Sequence, residues 1–171
     1  MMINYHSRNG RRNKGQALVE LALTLPIFLM LVYGIFEVAR LVFMYSEVFN
    51  ASRDAARYAG ANGKSTEGVV YYRDCTGIRD HANKVTSIID LSATDAVTIQ
   101  YDKGPDAELI ASSCEALVSS GTKLVLGDRV VVTVTATFNP VVPLLNFEDI
   151  PISSTTARSV VADLDIWAPY E

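Results

Sequence analysis

The chain has 171 residues, of which 49% are hydrophobic and 20% charged, a balance that fits one ordinary domain and excludes disorder throughout. Its formal net charge is −4, yet every charged residue among the first fifteen is a cation. The rest of the chain is therefore strongly acidic, which argues against nucleic-acid binding as the main activity.

A basic leader is followed by an apolar run. The leader, residues 1–15, contains four cations: Arg8, Arg11, Arg12 and Lys14. Residues 21–36, LALTLPIFLMLVYGIF, carry no charge. Together with residues 17–20 they would form about 30 Å of helix, enough to cross the hydrocarbon core of a bilayer. We therefore predict a transmembrane helix over residues 16–36.

The asymmetry of charge around this helix predicts its orientation. Cations precede the apolar run and are not matched just after it, so we expect the N-terminus in the cytoplasm. The protein would then be a single-pass protein of the cytoplasmic membrane, in contact with the lipid bilayer, and residues 61–171 would form an extracytoplasmic domain.

Three other interpretations of the apolar run compete with this one. A cleaved secretory signal would have a shorter apolar core and a small-residue exit site. A plain signal anchor fits the length and the charge but leaves Glu20 unexplained. A buried helix of a soluble protein would need more surrounding chain than this sequence supplies.

Glu20 is the unusual residue of the run, because a carboxylate inside a bilayer is costly and tends to mark function. Near the interface it could reach water without any partner. If a peptidase cut after Gly15, however, Gln16 would carry a new ammonium group one helical turn away on the same face. Pairing with that amine, or with the amine of a neighbouring subunit, would keep both groups charged. Glu20 would then be an assembly contact.

These residues resemble a known kind of processing site. Lys14 and Gly15, a cut before Gln16, and glutamate as the fifth residue of the mature chain are similar to a prepilin cleavage site. The site departs from this resemblance at Leu21, because cleavage sites of the Flp class of prepilins often have tyrosine at this position.

The segment LVELALTLPIFLMLVYGIFEVARLVFMYSEVFNASRDAARYAG closely resembles the TadE-like proteins of the tight-adherence (Flp, type IVc) pilus system. In that family an apolar anchor precedes a Gly-x-x-acid-x-x-Arg step and a helix rich in small residues. The matching positions are Gly34, Glu37, Arg40, Ala55, Ala56, Arg57, Tyr58 and Ala59.

The resemblance implies a structural minor pilin rather than an enzyme. Its implied partners are a prepilin peptidase, other pilin subunits and the pilus assembly platform, and its implied role is in pilus biogenesis and surface adhesion. The alternative is an uncleaved single-pass membrane protein with an extracytoplasmic binding domain. A third possibility, an anchored enzyme, would use scattered acids such as Asp102, Asp106 and Glu108.

The helix is predicted to continue beyond the membrane as a stalk, residues 37–60, and to stop near Gly60 and Gly63. Its three- and four-residue spacing predicts one stripe of apolar and small side chains, with Glu47 among the polar remainder. The stripe comprises Val38, Val42, Tyr45, Phe49, Ser52, Ala56 and Ala59. It would pack on neighbouring pilin helices or on the protein's own domain.

The body is predicted to combine a second helix with an antiparallel sheet. Residues 78–90 place apolar side chains on one helical face, and residues 96–102 alternate as a strand does. Residues 123–126 and 129–138 flank Gly127–Asp128, which predicts a hairpin. A last strand is expected over residues 152–161. The fold class is thus α+β, with a long N-terminal helix and a small pilin-like domain.

The sequence allows two interpretations at each of two further places in the body. Residues 105–120 fit a short helix or a covered loop. Tyr71, Tyr72 and Tyr101 fit either an adhesive patch or core packing.

The two cysteines, Cys75 and Cys114, follow the apolar run. In an exported domain an even pair commonly forms a disulfide, whereas in a cytosolic protein both would remain thiols. The predicted topology favours the disulfide.

No motif for catalysis or metal binding occurs. The sequence has two histidines, and we expect His81 to be a surface residue of the second helix. Zinc-binding spacings, a P-loop and a nucleophile elbow are missing. We therefore expect no cofactor, no metal, no small-molecule substrate and no nucleic acid.

Overall fold

The structure is a computed structural model that describes residues 12–91, 93, 95–141 and 149–161. Its helices are α1 (Arg12–Ala59), α2 (Cys75–Lys84) and α3 (Cys114–Ser120), and a short 3-10 turn covers Tyr71–Arg73. Its strands are β1 (Val97–Asp102), β2 (Leu109–Ala111), β3 (Arg129–Phe138) and β4 (Ile150–Ser159). The predicted α+β fold class is confirmed.

The chain divides into two compact units, residues 1–40 and residues 41–171, and helix α1 contributes to both. Helix α1 is continuous over 48 residues, as predicted, and Pro26 lies inside it. It ends where Gly60 donates its backbone N–H to the Ala56 carbonyl oxygen at 3.0 Å. A Cβ at Gly60 would lie 3.3 Å from the Ser159 carbonyl oxygen, so the helix end closely approaches the last residue of β4 and a side chain there would be crowded.

The four strands form one antiparallel sheet in the order β2-β1-β3-β4. Strand β3 is central and pairs along its whole length with β4, from Arg129↔Ser159 to Phe138↔Ile150. Its alternation was predicted correctly, because one face is buried and the threonines lie on the other. The buried residues are Val130, Val132, Val134, Ala136 and Phe138.

The predicted hairpin across Gly127–Asp128 is wrong. Residues 123–126 are not a strand, and β3 pairs with β1 and β4 instead. The Asp128 carboxylate accepts the Val125 backbone N–H at 2.8 Å, and the Asp128 N–H donates to the Val125 carbonyl oxygen at 3.1 Å. This local turn uses the backbone groups that a strand ladder would need.

Helix α2 lies earlier than predicted and is shorter. Asp74 starts it by accepting the Gly77 backbone N–H at 2.9 Å, and the helix ends at Lys84. Ile89, expected on the helix, is instead buried from the following loop. A carboxylate at the N-cap position fixes a helix start more firmly than apolar spacing does.

The ambiguous region 105–120 contains strand β2 and helix α3. Ser113 caps α3 by accepting the Ala116 N–H at 3.1 Å, and Gly121 closes it in the left-handed conformation at φ 68°. Strand β4 begins and ends two residues earlier than predicted.

A disulfide joins Cys75, the first residue of α2, to Cys114, the first residue of α3. The Cα atoms are 5.7 Å apart and the cysteines are 39 residues apart in sequence. The predicted disulfide is therefore present, and it fixes the starts of both short helices to each other.

Removing this bond should lower the stability of the domain. On the chain-entropy treatment, opening a loop of this length costs about 4 kcal/mol. The measurement is urea unfolding of the detergent-solubilised chain, comparing wild type with Cys75→Ser/Cys114→Ser. The double variant should not respond to reductant, whereas the wild type should fall to its level. An unchanged unfolding midpoint after complete reduction would contradict the prediction.

Candidate functional site

The predicted processing segment lies in the first turns of helix α1. Gly15 has open space around it, since a Cβ there would meet nothing within 4 Å. Gln16 and Glu20 are both exposed and lie one turn apart. The leader residues 1–11 and the side chains of Arg12 and Lys14 fall outside the described part of the chain. The junction between Gly15 and Gln16 is thus not covered by any described residue.

Helix α1 is long and apolar enough to cross a membrane. Every large apolar side chain from Leu18 to Phe36 is exposed, with an 18-residue window of mean hydropathy 2.2. Exposing so much apolar surface to water is unfavourable, and monomeric soluble proteins rarely do it. Lipid or neighbouring apolar helices would remove this cost.

The first charged residues after the apolar run of helix α1 form an ion pair, Glu37 with Arg40. Arg40 Nη1 donates to both carboxylate oxygens of Glu37, at 2.9 and 3.2 Å, across one helical turn. Pairing reduces the cost of placing either charge next to an apolar segment. Gly34, the third member of this motif, has nothing within 4 Å of its Cβ position. The motif therefore ends the uncharged run with a locally neutralised pair.

The buried face of the stalk differs from the predicted stripe. Ser52, Ala56 and Ala59 are buried as expected, but Val38, Val42, Tyr45 and Phe49 are exposed. The buried residues also recur every three or four positions, but they lie on a face of the helix next to the predicted one. They are Glu47, Val48, Ala51, Ser52, Ala55, Ala56 and Ala59. Periodicity finds apolar faces but does not decide which one the sheet covers.

Small side chains lie between this face and the sheet. Ser52 is fully buried, and its Oγ lies 3.0 Å from Ser154 Oγ and 2.9 Å from Thr156 Oγ1, both in β4. Ala55 and Ala56 are fully buried in the same core as the inward side of β3. A larger side chain here would have to displace a close-packed sheet. The two alanines therefore act in docking the helix on its own domain.

The residues around Arg57 form a polar cluster. Arg57 Nη2 lies 3.5 Å from Asp54 Oδ1, and the other Asp54 oxygen lies 3.1 Å from His81 Nδ1. The His81 ring stacks on Tyr58 with centroids 4.1 Å apart. The side chain of His81 is 37% exposed on α2, as expected for a surface residue, but it has two partners that the sequence did not predict.

Tyr58 connects this cluster to the start of α2. Its hydroxyl donates to Asp74 Oδ2 at 2.6 Å, while the other Asp74 oxygen caps α2. Burial, followed by the hydrogen bond to Asp74, raises the pKa of Tyr58 above its ordinary value of 10. The phenol therefore stays protonated and remains a donor across the physiological range.

Glu47 was expected among the polar residues of the stalk, but it lies on the buried face. It is only 6% exposed, and its two carboxylate oxygens accept the backbone N–H groups of Ser87 at 2.8 Å and Ile88 at 3.2 Å. It ties helix α1 to the loop that follows α2. The sequence did contain a signal for this burial. Glu47 precedes Val48 by one residue and Ala51 by four, and both Val48 and Ala51 lie on the buried face of the helix.

Two of the three carboxylates considered for an enzyme site, Asp102 and Glu108, are held in ion pairs. Asp102 accepts from Arg129 Nε at 2.7 Å and Nη2 at 2.8 Å, and Glu108 accepts from Lys103 Nζ at 2.9 Å. Among the described residues no group of three or more His, Cys, Asp or Glu side chains could hold a metal ion. The Asp102–Arg129 pair links strands β1 and β3, and the exposed Lys103–Glu108 pair lies in the β1–β2 loop.

The tyrosines left open by the sequence belong mainly to the core. Tyr101 is fully buried and donates its hydroxyl to the Tyr72 carbonyl oxygen at 2.6 Å, and Tyr72 is buried too. Tyr71 is partly buried, edge-on to the Tyr58 ring at 4.8 Å. Core packing, rather than an adhesive patch, describes this group.

A comparison with protein families matches residues 15–57 to the family described as TadE-like protein. This segment is TadE-like. The match begins at Gly15 and includes Glu20, the Glu37–Arg40 pair and Ala55–Arg57, so the resemblance seen in the sequence is confirmed for about a quarter of the chain. No match was found among curated proteins or solved structures.

Replacing Glu47 should destabilise the TadE-like helix on its domain. Glu47→Ala would remove the shared acceptor of the Ser87 and Ile88 backbone N–H groups, a loss of about 1 kcal/mol for each hydrogen bond. Glu47→Gln keeps one acceptor oxygen and should lose less. Urea unfolding measures the free energy, and hydrogen exchange at Ser87 and Ile88 measures the local opening.

The control for this prediction is Glu67→Ala, which removes an exposed glutamate from the turn before the 3-10 helix. It should leave both measurements unchanged. Equal stability of Glu47→Ala and Glu67→Ala would show that the two hydrogen bonds do not stabilise the domain.

The Asp102–Arg129 pair predicts a pH dependence. The hydrogen bonds from Arg129 lower the pKa of Asp102 below its ordinary value of 3.8, so its stabilisation is complete above that value. It is lost as the pH falls through the lower pKa of the folded state. Asp102→Asn should therefore be less stable than wild type near neutral pH, and this difference should disappear in strong acid.

Thermal unfolding across an acid pH series measures this difference, with the exposed Asp80→Asn on α2 as the matched control. A difference between wild type and Asp102→Asn that grows as the pH falls would refute the assignment.

Proposed function

We propose that the protein is a minor pilin of a tight-adherence pilus, inserted as a prepilin, cleaved after Gly15 and assembled through helix α1. The observation that carries the proposal is the TadE-like match, which starts at Gly15 and covers an apolar helix with an exposed carboxylate at Glu20. The proposed partners are a prepilin peptidase, other pilin subunits, the assembly platform and the lipid bilayer.

The charge pattern supports an orientation with the leader in the cytoplasm and residues 61–171 outside. The disulfide between Cys75 and Cys114 fits this topology, because disulfides persist in oxidising compartments. The domain would then fold outside the membrane before the subunit enters a pilus.

Cleavage would give the Glu20 carboxylate, which is unfavourable in an apolar surrounding, an oppositely charged partner. The new ammonium group at Gln16 would lie one turn from Glu20, within reach of its own carboxylate or that of an adjacent subunit. In an apolar surrounding, each charge favours the ionised form of the other. The pair would set the register of one subunit against the next as the helix leaves the bilayer sideways.

The domain fits a structural rather than catalytic role. Two of the acids considered for catalysis, Asp102 and Glu108, are occupied by ion pairs with Arg129 and Lys103. We place the domain on the exposed side of the assembly, where it supports pilus biogenesis and surface adhesion by contacts with other subunits.

The N-terminus of the mature protein tests processing. Intact mass and N-terminal sequencing of the membrane-extracted protein should give a chain that begins at Gln16. Gly15→Val should block the cut because a branched side chain is placed at the bond to be hydrolysed. Gly34→Val is the matched control, since it makes the same change in the same helix with the same open surroundings, and it should still be cleaved.

A wild-type chain that retains its leader would overturn the proposal. It would leave the alternative of an uncleaved single-pass protein with an extracytoplasmic binding domain.

The role of Glu20 in assembly has its own readout. Glu20→Gln keeps the size of the side chain but removes the charge, so it should be cleaved normally and yet be depleted from sheared pili. Glu67→Gln, a neutralisation in the exposed domain, should be recovered in pili at the wild-type level. Equal recovery of the two variants would remove Glu20 from the mechanism.

A further inference from the structure

The domain has an open pocket of about 390 Å³ beside the end of strand β4. It is lined by apolar side chains and two lysines, and its wall includes Val161, which follows the end of β4. Its lining includes Lys64, Lys123, Val125, Leu126 and Val161.

The apolar part of the pocket is unusually exposed. Val125 and Leu126 are each 65% exposed, next to each other in the turn before β3, whereas the preceding Leu124 is buried. Adjacent exposed apolar side chains at a concave site are typical of a surface that another segment covers.

The charge at the pocket is positive and unmatched. Lys64 and Lys123 are both exposed, and neither has an ion-pair partner within the described ranges. In a chain with an excess of acids, two free cations beside apolar side chains favour a segment that alternates carboxylates with apolar residues.

Such a segment follows the pocket directly. Residues 162–171 read ADLDIWAPYE, with three acids and no cation. Asp163 and Asp165 alternate with Leu164 and Ile166. In an extended chain this alternation separates the carboxylates from the apolar side chains.

The chain is already anchored at the pocket edge where this segment starts. Val160 is buried, and its backbone N–H donates to the Asp128 carbonyl oxygen at 2.8 Å, one residue before Val161 lines the pocket. A segment tethered at the edge of its site binds at a high effective concentration, without a long connection to close.

We propose that the pocket is the binding site for residues 162–171 of the same chain. Asp163 and Asp165 pair with Lys64 and Lys123, and the apolar side chains of the segment cover Val125 and Leu126. The segment thereby removes an apolar patch from the outer surface of the domain.

Trp167, the single tryptophan of the chain, reports on this binding. In the detergent-solubilised full-length protein, its emission should be shifted to shorter wavelength and its quenching by iodide should be weak. Lys123→Glu should shift the emission to longer wavelength and raise the quenching constant severalfold, because it replaces attraction by repulsion. Adding Asp163→Lys and Asp165→Lys to Lys123→Glu should restore the wild-type signal.

Matched controls separate the pocket from general effects of charge and from the micelle. Lys84→Glu makes the same reversal at the end of α2, away from the pocket, and should leave the emission unchanged. Leu126→Ser should expose Trp167, whereas Val118→Ser, at an exposed apolar position of α3, should not. Unchanged circular dichroism and unfolding midpoints would show that the variants fold. The same emission in all variants would overturn the proposal.

Zero-length cross-linking identifies the occupant. A carbodiimide should join Lys64 or Lys123 to Asp163 or Asp165, as found by mass spectrometry of peptides. With isotopically heavy and light protein mixed before the reaction, a segment bound in its own chain gives only unmixed pairs. Mixed pairs would assign the site to a second copy, and the absence of any link to these lysines would leave the pocket to another partner; either result refutes the proposal.

Discussion

The structure of the domain depends on the packing of small side chains between helix α1 and the sheet. Ala51, Ser52, Ala55, Ala56 and Ala59 are all buried and present one narrow face to the strands. Ser52 adds hydroxyl contacts to two side chains of β4. Because protein interiors are close-packed, this face admits little increase in size. The rest of the core, including the central strand β3, is arranged around it.

The same helix has a second kind of surface before this face begins. From Leu18 to Phe36 its large apolar side chains are exposed, and the Glu37–Arg40 pair marks the return of charge. The TadE-like match covers both surfaces and ends at residue 57, near the end of the small-residue face. One continuous helix thus combines a segment suited to lipid or helix contacts with a segment that holds a folded domain.

Polar contacts join the rest of the domain to helix α1 at two positions along the helix, Glu47 and Tyr58. Glu47 accepts two backbone N–H groups of the loop after α2, and Tyr58 donates to the aspartate that caps α2. The disulfide then joins the start of α2 to the start of α3. Helices α2 and α3 are too short to be stable on their own, and these contacts hold each of them at its N-terminus.

The sequence alone determined the long helix, the α+β class and the inward side of β3, because each follows from local pattern or composition, whereas it only favoured the disulfide. Apolar length and charge asymmetry need no tertiary information, and neither does a strict two-residue alternation. Tertiary structure decided which stripe of the stalk is buried, that residues 123–126 form a turn, and that Glu47 and His81 have partners. These outcomes depend on which distant groups compete for the same backbone N–H, carboxylate or apolar face, and sequence spacing does not encode that competition.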